Sequence, residues 1–332
     1  MAGRLRISLI VEKGSQVNPM KVLFAYDGSS GADAALYDLK HAGLPSVLEC
    51  MVLSVADVWL PPVQDSGDET ISGNLDPAVR TRILAMRETA RAKVAEAAAM
   101  AKHGAQIIQS LFPTWRLSSE AVADSPAWGI LNRADSWPAN LMVTGSHGMS
   151  ATARILIGSV SRKVLSHASC SVRIARGSGA KHAGPRLIVG FDGSSDAEAA
   201  IREVASRDWP DGTQVRLITV VDDTIRTAIA ARILKLDAWF EGGQTDDHHI
   251  WLSKMTEGAA ERLRRVRLDA TCLLSEGEPK RVLLDEAQQW QADSIFLGAT
   301  GLRGLQRLLL GSVSSSVATA ASCTVEVVRR AS

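Results

Sequence analysis

Gly145, Gly148 and Gly158, with Ser159 directly after the last, stand in the spacing Gly-x2-Gly-x9-Gly-Ser, and Gly298, Gly301, Gly311 and Ser312 repeat it. Glycine lets backbone amides come close to a ligand, and amides at a helix start attract an anion, so this is a pattern that cradles phosphate. The Ser159 and Ser312 hydroxyls would add a donor to each cradle. Upstream of each signature an apolar run ends in Asp-Gly-Ser-Ser, at residues 27–30 and again at 192–195. Asp27 and Asp192 suit the capping of the helices that follow, a role compatible with a ligand contact. Arg154 and Arg307 occupy the same place inside the two nine-residue loops. A guanidinium there would offset phosphate charge, although an ordinary solvated arginine is the plainer reading. The glycines also have a plain reading, since α/β folds need tight turns at strand ends whatever they bind.

These residues recur because the chain repeats itself. Residues 21–30 return as 186–195, a shift of 165 positions, and the glycine signature returns with a shift of 153. From 158 to 176 against 311 to 329, ten of nineteen positions are identical, Cys170 with Cys323 among them. The expected organisation is an N-terminal extension at 1–19, a first domain at 20–176, a Gly-rich linker at 177–185 and a second domain at 186–332. Within the first copy, strand-like runs are expected at 22–26, 50–55, 106–111 (reaching as far as 122), 141–144 and 172–175. Helical spacing is expected at 32–41, 78–103, 126–134 and 155–167. The second copy gives strands at 187–191, 215–221, 272–275, 294–297 and 325–328. Strands alternating with helices predict right-handed βαβ units and a parallel sheet covered on both faces. In such a sheet ligands bind beyond the carboxyl ends of the strands where strand order reverses, so neighbouring first and fourth strands would bring both turns to one crevice.

Composition narrows the class. With 46% hydrophobic and 22% charged residues the chain reads as globular rather than disordered or collagenous. A net charge of +1 advertises neither nucleic acid nor an anionic membrane. The basic residues spread along 79–103 read as a solvated helix face. Four cysteines without paired spacing fit reduced thiols in a cytosol, and no uncharged apolar run approaches a membrane span, so a cytoplasmic protein is expected. The cluster Asp246-Asp247-His248-His249 has metal-like composition, but adjacent side chains seldom converge on one ion, and no metal site is assigned. A catalytic triad through Ser146 and His147 is not expected, because no Gly-x-Ser-x-Gly elbow is present and the second copy has Ala299 and Thr300 there.

Both copies resemble the universal stress protein family, in which a strand-end Asp precedes the Gly-x2-Gly-x9-Gly-Ser/Thr signature typical of an ATP-binding branch. The resemblance implies two tandem doubly wound α/β domains, each with a five-stranded parallel sheet of order 3-2-1-4-5, joined through their last strands as an intramolecular pseudo-dimer. It further implies that Asp27 and Asp192 contact adenosine. Val55 and Val220 would meet adenine through their backbone. Gly145, Gly148, Gly158, Ser159 and Val160, with Gly298, Gly301, Gly311, Ser312 and Val313, would hold ribose and phosphates. The implied ligand is ATP, or ADP or AMP, with Mg2+ following the phosphates. The implied role is a stress-response sensor that binds rather than turns over nucleotide. Further homodimerisation and an unknown protein partner are compatible with it. The chain departs from the family where prolines often flank the cysteine before the last strand, since serine and threonine stand around Cys170 and Cys323. Two alternatives use other chemistry: a slow ATPase or phosphoryl- or adenylyl-transferring enzyme working in the same pocket, and a nucleotide-free scaffold. The Walker lysine motif that would favour the enzyme is absent.

Overall fold

The computed structural model describes residues 19–58, 76–146, 157–177, 182, 184–222, 246–301 and 310–330. In the first half, β1 (Lys21–Ala25), β2 (Glu49–Ala56), β3 (Arg116–Ala123), β4 (Leu141–Gly145) and β5 (Ser171–Ala175) alternate with α1 (Ser30–Asp38), α2 (Pro77–Leu111), α3 (Pro126–Ser136) and α4 (Ser159–His167). In the second, β6 (Arg186–Gly190), β7 (Gln214–Val221), β8 (Asp269–Glu276), β9 (Ser294–Gly298) and β10 (Thr324–Val328) alternate with α5 (Ser195–Ala205), α6 (Asp246–Arg265), α7 (Pro279–Gln289) and α8 (Ser312–Ala320). The ten strands make one sheet in the order β3-β2-β1-β4-β5-β10-β9-β6-β7-β8. Its pairings are parallel except at the centre, where β5 meets β10 antiparallel. Short runs such as Val22-Leu23-Phe24 are wholly buried, as strands covered on both faces must be.

Three expected boundaries are corrected. The helix expected to stop at 103 continues to Leu111. Gly104 does not end it: a Cβ there would lie 3.0 Å from the Tyr26 ring, so this glycine is a notch that lets α2 sit on β1. The strand expected at 106–111 is therefore the last turns of α2, with Ile108 fully buried, and β3 begins only at Arg116. A short apolar run fits either period, and the length of the preceding helix decided between them. The helix expected over 155–167 begins at Ser159, because Gly158 is extended and caps it; residues 155 and 156 lie outside the described set.

The two faces of the sheet are built differently. On one, α3, α4, α7 and α8 cover a single apolar core that runs through both halves, from Leu23 and Val172 to Val327 and Ile188. On the other, α1 and α2 close one core and α5 and α6 another. Between those two cores the fully buried Arg173 and Glu326 are joined through charged neighbours on both sides. No described helix is long and apolar enough to cross a membrane.

Candidate functional site

In each half the first strand lies between the second and the fourth, so the carboxyl ends of β1 and β6 sit where the sheet changes direction of travel. Gly28 and Gly193 turn the chain there with φ of +71° and +76°, a conformation that side chains resist. Asp27 Oδ1 accepts from the Ser29 amide (3.0 Å) and hydroxyl (2.6 Å), and Asp192 Oδ1 accepts from the Ser194 amide (2.9 Å). The helix caps are the serines rather than the aspartates. Ser29 Oγ accepts from the Ala32 amide and Ser194 Oγ from the Ala197 amide, each at 3.1 Å. The aspartates brace those caps.

The second turn is packed onto the first. A Cβ on Gly145 would stand 2.8 Å from the Gly31 carbonyl oxygen, and one on Gly298 would stand 2.5 Å from the Asp196 backbone. Close approach of β4 and β9 to α1 and α5 alone requires glycine at both places. The Gly158 amide then donates to the Ser146 carbonyl and the Gly311 amide to the Ala299 carbonyl, both at 2.7 Å. Ser161 and Ser314, which the sequence reading passed over, donate to the Gly145 and Gly298 carbonyls, again at 2.7 Å. Their signal was the repeated Gly-Ser-Val-Ser. These bonds bring the first and third glycines of each signature side by side. Gly301 completes the cluster in the second half: a Cβ on it would lie 2.9 Å from Asp192 Oδ2. Gly148, Arg154, Arg307 and His147 lie outside the described residues, as do the side chains of residues 246–249.

The two kinds of helix start contrast. α1 and α5 are capped by their serines, whereas α4 and α8 open on extended Gly158 and Gly311 with no side-chain cap. The first-turn amides of α4 and α8, those of Ser159 and Val160 or Ser312 and Val313 among them, have no acceptor within their own helix. Ser159 and Ser312 are exposed beside them. Val55 and Val220 end β2 and β7 beside the crevice. Their side chains pack inward, Val55 against Gly129 and Val220 within the shared core, which leaves backbone as what they can present. The site residues of each half that fall in the described set thus come to one strand-end crevice. A nucleotide fits the donor set: uncapped helix amides and a hydroxyl for an anion, a carboxylate for hydroxyls, and backbone at a strand end for a base.

The halves differ at one further place. Asp196, in the first turn of α5, accepts from the Thr300 amide (3.0 Å) and hydroxyl (2.5 Å) through Oδ2, and its Oδ1 meets Arg330 Nε at 2.6 Å. The corresponding positions of the first half are Gly31 and Gly177. There is no carboxylate there to hold the turn, and a Cβ on Gly177 would strike Ala34 at 2.4 Å. Cys170, at the helix-to-strand corner before β5, packs as a small apolar group, with burial pushing its thiol up to about 12.

Comparison with known proteins agrees with this geometry. Residues 19–176 and 185–329 each match the Universal stress protein family. A universal stress protein of Mycolicibacterium smegmatis is 27% identical over 313 residues, covering 93% of this chain and 96% of the relative. One of Mycobacterium tuberculosis is 25% identical over 316 residues, covering 93% and 97%. Among solved structures, a universal stress protein from Archaeoglobus fulgidus superposes with a TM-score of 0.58 at 21% identity, covering 94% of this chain and 98% of that one, a likeness of fold. The chain belongs to the universal stress protein family and carries two of its domains in tandem.

Proposed function

We propose that the chain binds adenine nucleotide, ATP above all, at the strand-end crevices, and that occupancy rather than turnover is its activity. The observation that carries this reading is the amide ends of α4 and α8, which lack a side-chain cap and lie beside a glycine turn and a strand-one carboxylate, while α1 and α5, which open at the same crevices, are closed by serine. An anion completes what the fold leaves open there. Triphosphate would lie across those amides and the Ser159 or Ser312 hydroxyl, with Mg2+ following the phosphates and the base against the ends of β2 or β7. In this reading the protein acts in the cytoplasm, and phosphate contacts along the signatures from Gly145 to Gly158 and from Gly298 to Gly311 convert nucleotide level into a stress response.

The test is calorimetric titration with Mg-ATP, preceded by denaturing the purified protein and counting released nucleotide. Ser312→Pro removes one hydroxyl and one first-turn amide at a helix position that tolerates proline after an extended residue. It is expected to weaken binding in the second half at least tenfold while the fold is kept. Unchanged affinity in both Ser159→Pro and Ser312→Pro would defeat the site, and no nucleotide either carried or bound would defeat the reading.

A further inference from the structure

The junction between the halves is nearly two-fold symmetric, and it breaks that symmetry at one point. Antiparallel pairing of β5 with β10 sets Val172 opposite Val327, Arg173 opposite Glu326 and Ile174 opposite Val325. Equivalent residues of the halves repeat each other's bonds across this line. The Arg176 amide donates to Thr324 Oγ1 and the Arg329 amide to Ser171 Oγ, at 3.0 and 3.1 Å. The Arg176 guanidinium reaches the Ala318 carbonyl at the end of α8 (2.5 Å), and the Arg329 guanidinium reaches the Leu165 carbonyl at the end of α4 (3.0 Å). Arg173 and Glu326 are also equivalent to each other, but they face one another on the axis itself.

On a true two-fold a residue meets its own copy, so any residue there must tolerate itself. Here the duplicated chain has placed opposite charges, both wholly buried and 3.1 Å apart. Each is held from its own side too. Arg173 Nε donates to Asp38 at the end of α1 (2.7 Å), and Glu326 receives Arg207, beyond α5, which also reaches Glu203 at 2.9 Å. Asp38 and Glu203 are themselves equivalent positions of the two halves. A lateral grip joins the halves as well: Arg207 donates to the Ala42 carbonyl (2.8 Å), the Asp208 amide donates to the Gly43 carbonyl (2.9 Å), the Ser46 amide donates to Asp208 Oδ2 (3.3 Å), and the Trp209 ring occupies the space a Cβ on Gly43 would need.

We propose that this junction is a recognition code: the β5 edge of the first half fits the β10 edge of a second half and rejects its own kind. Two first halves would set Arg173 against Arg173. Two second halves would bury Glu326 against Glu326, with the Glu203 and Arg207 pairs leaving a net negative charge out of water, and buried like charge is strongly unfavourable. The partner this surface takes is the other half of the chain, and the two copies are not interchangeable as building blocks.

The test uses the full chain with a specific protease site inserted in the 177–185 linker. The cleaved protein is unfolded in urea, refolded, and its pairs are weighed by native mass spectrometry. Mixed pairs of one first and one second half are expected, with the ratio of mixed to like pairs at least tenfold above that of a random 1:2:1 distribution. First-half or second-half homodimers at random proportions, or no pairs at all, would overturn the proposal. Glu326→Gln keeps the shape and leaves Arg173 with Asp38 and Arg207 with Glu203, two balanced pairs. In that variant second-half homodimers are expected to appear and the excess of mixed pairs to fall at least tenfold. An unchanged distribution would show that charge on the axis does not set partner choice.

Discussion

The two crevices share a plan and differ in how their second turn is held. In the second half a buried carboxylate, Asp196, ties Thr300 to the start of α5 and is itself met by Arg330. In the first half glycines stand at both corresponding positions, and among the described residues Gly145 packs on the Gly31 backbone and accepts from Ser161. Both turns share the tight glycine packing and the serine-to-carbonyl bonds, and the second adds a charged fastening. An internal carboxylate on a turn amide also uses a donor that an incoming phosphate would otherwise meet. On the proposed nucleotide reading the second-half cradle offers phosphate one donor fewer, so weaker anion binding is expected there than in the first half.

That contrast is open to direct attack. The largest effect is expected from Gly298→Ala, whose new Cβ would press on backbone at 2.5 Å with nothing flexible to yield. Overpacking of this kind should cost about 3 kcal/mol or more. Gly145→Ala, at 2.8 Å from a carbonyl oxygen, should cost about 1–2 kcal/mol. Urea unfolding gives both values, and equal costs would erase the distinction. Next comes Asp196→Ala, which strips the Thr300 amide and hydroxyl of their acceptor and should lose about 2 kcal/mol. It should also raise the Mg-ATP affinity of the second half toward that of the first; tighter binding without a stability loss, or the reverse, would separate the fastening from the affinity. The smallest effects belong to Ser29→Ala and Ser194→Ala, about 1 kcal/mol each. Because each serine accepts from the equivalent helix amide while its hydroxyl donates to Asp27 in one half and to the Thr300 carbonyl in the other, a clear difference between these two variants would locate the asymmetry in the hydroxyl's partner.

Much of this was legible in the residues. Short apolar runs ending in Asp-Gly-Ser marked β1 and β6, and the twice-written glycine signature marked the crevice, because both are local patterns that each copy repeats. What failed was length where two periods overlap: Ile107, Ile108 and Leu111 suit a strand as well as a helix, and only the notch at Gly104 shows why α2 runs on. Asp196 escaped notice because its meaning lies in a partner 104 residues away, Thr300, and in a glycine at the equivalent place of the other copy. Arg173 and Glu326 were visible only as one mismatch in a well-matched stretch. Nothing short of the strand register reveals that the mismatch falls on the axis.

The buried charge at the junction also has a history within each molecule's own making. Ribosomes add about 5–20 residues each second, so the first half stands complete for roughly 8–30 s before β10 emerges to cover it. During that interval β5 is a bare sheet edge flanked by Val172 and Ile174, the sort of surface that seeds misassembly between neighbouring nascent chains. Arg173, held by Asp38 from the same half, keeps an inward-pointing cation on that edge until its proper counter-charge arrives. The same arginine that ends buried against Glu326 would thus pass through an earlier setting as a charge on an open strand edge.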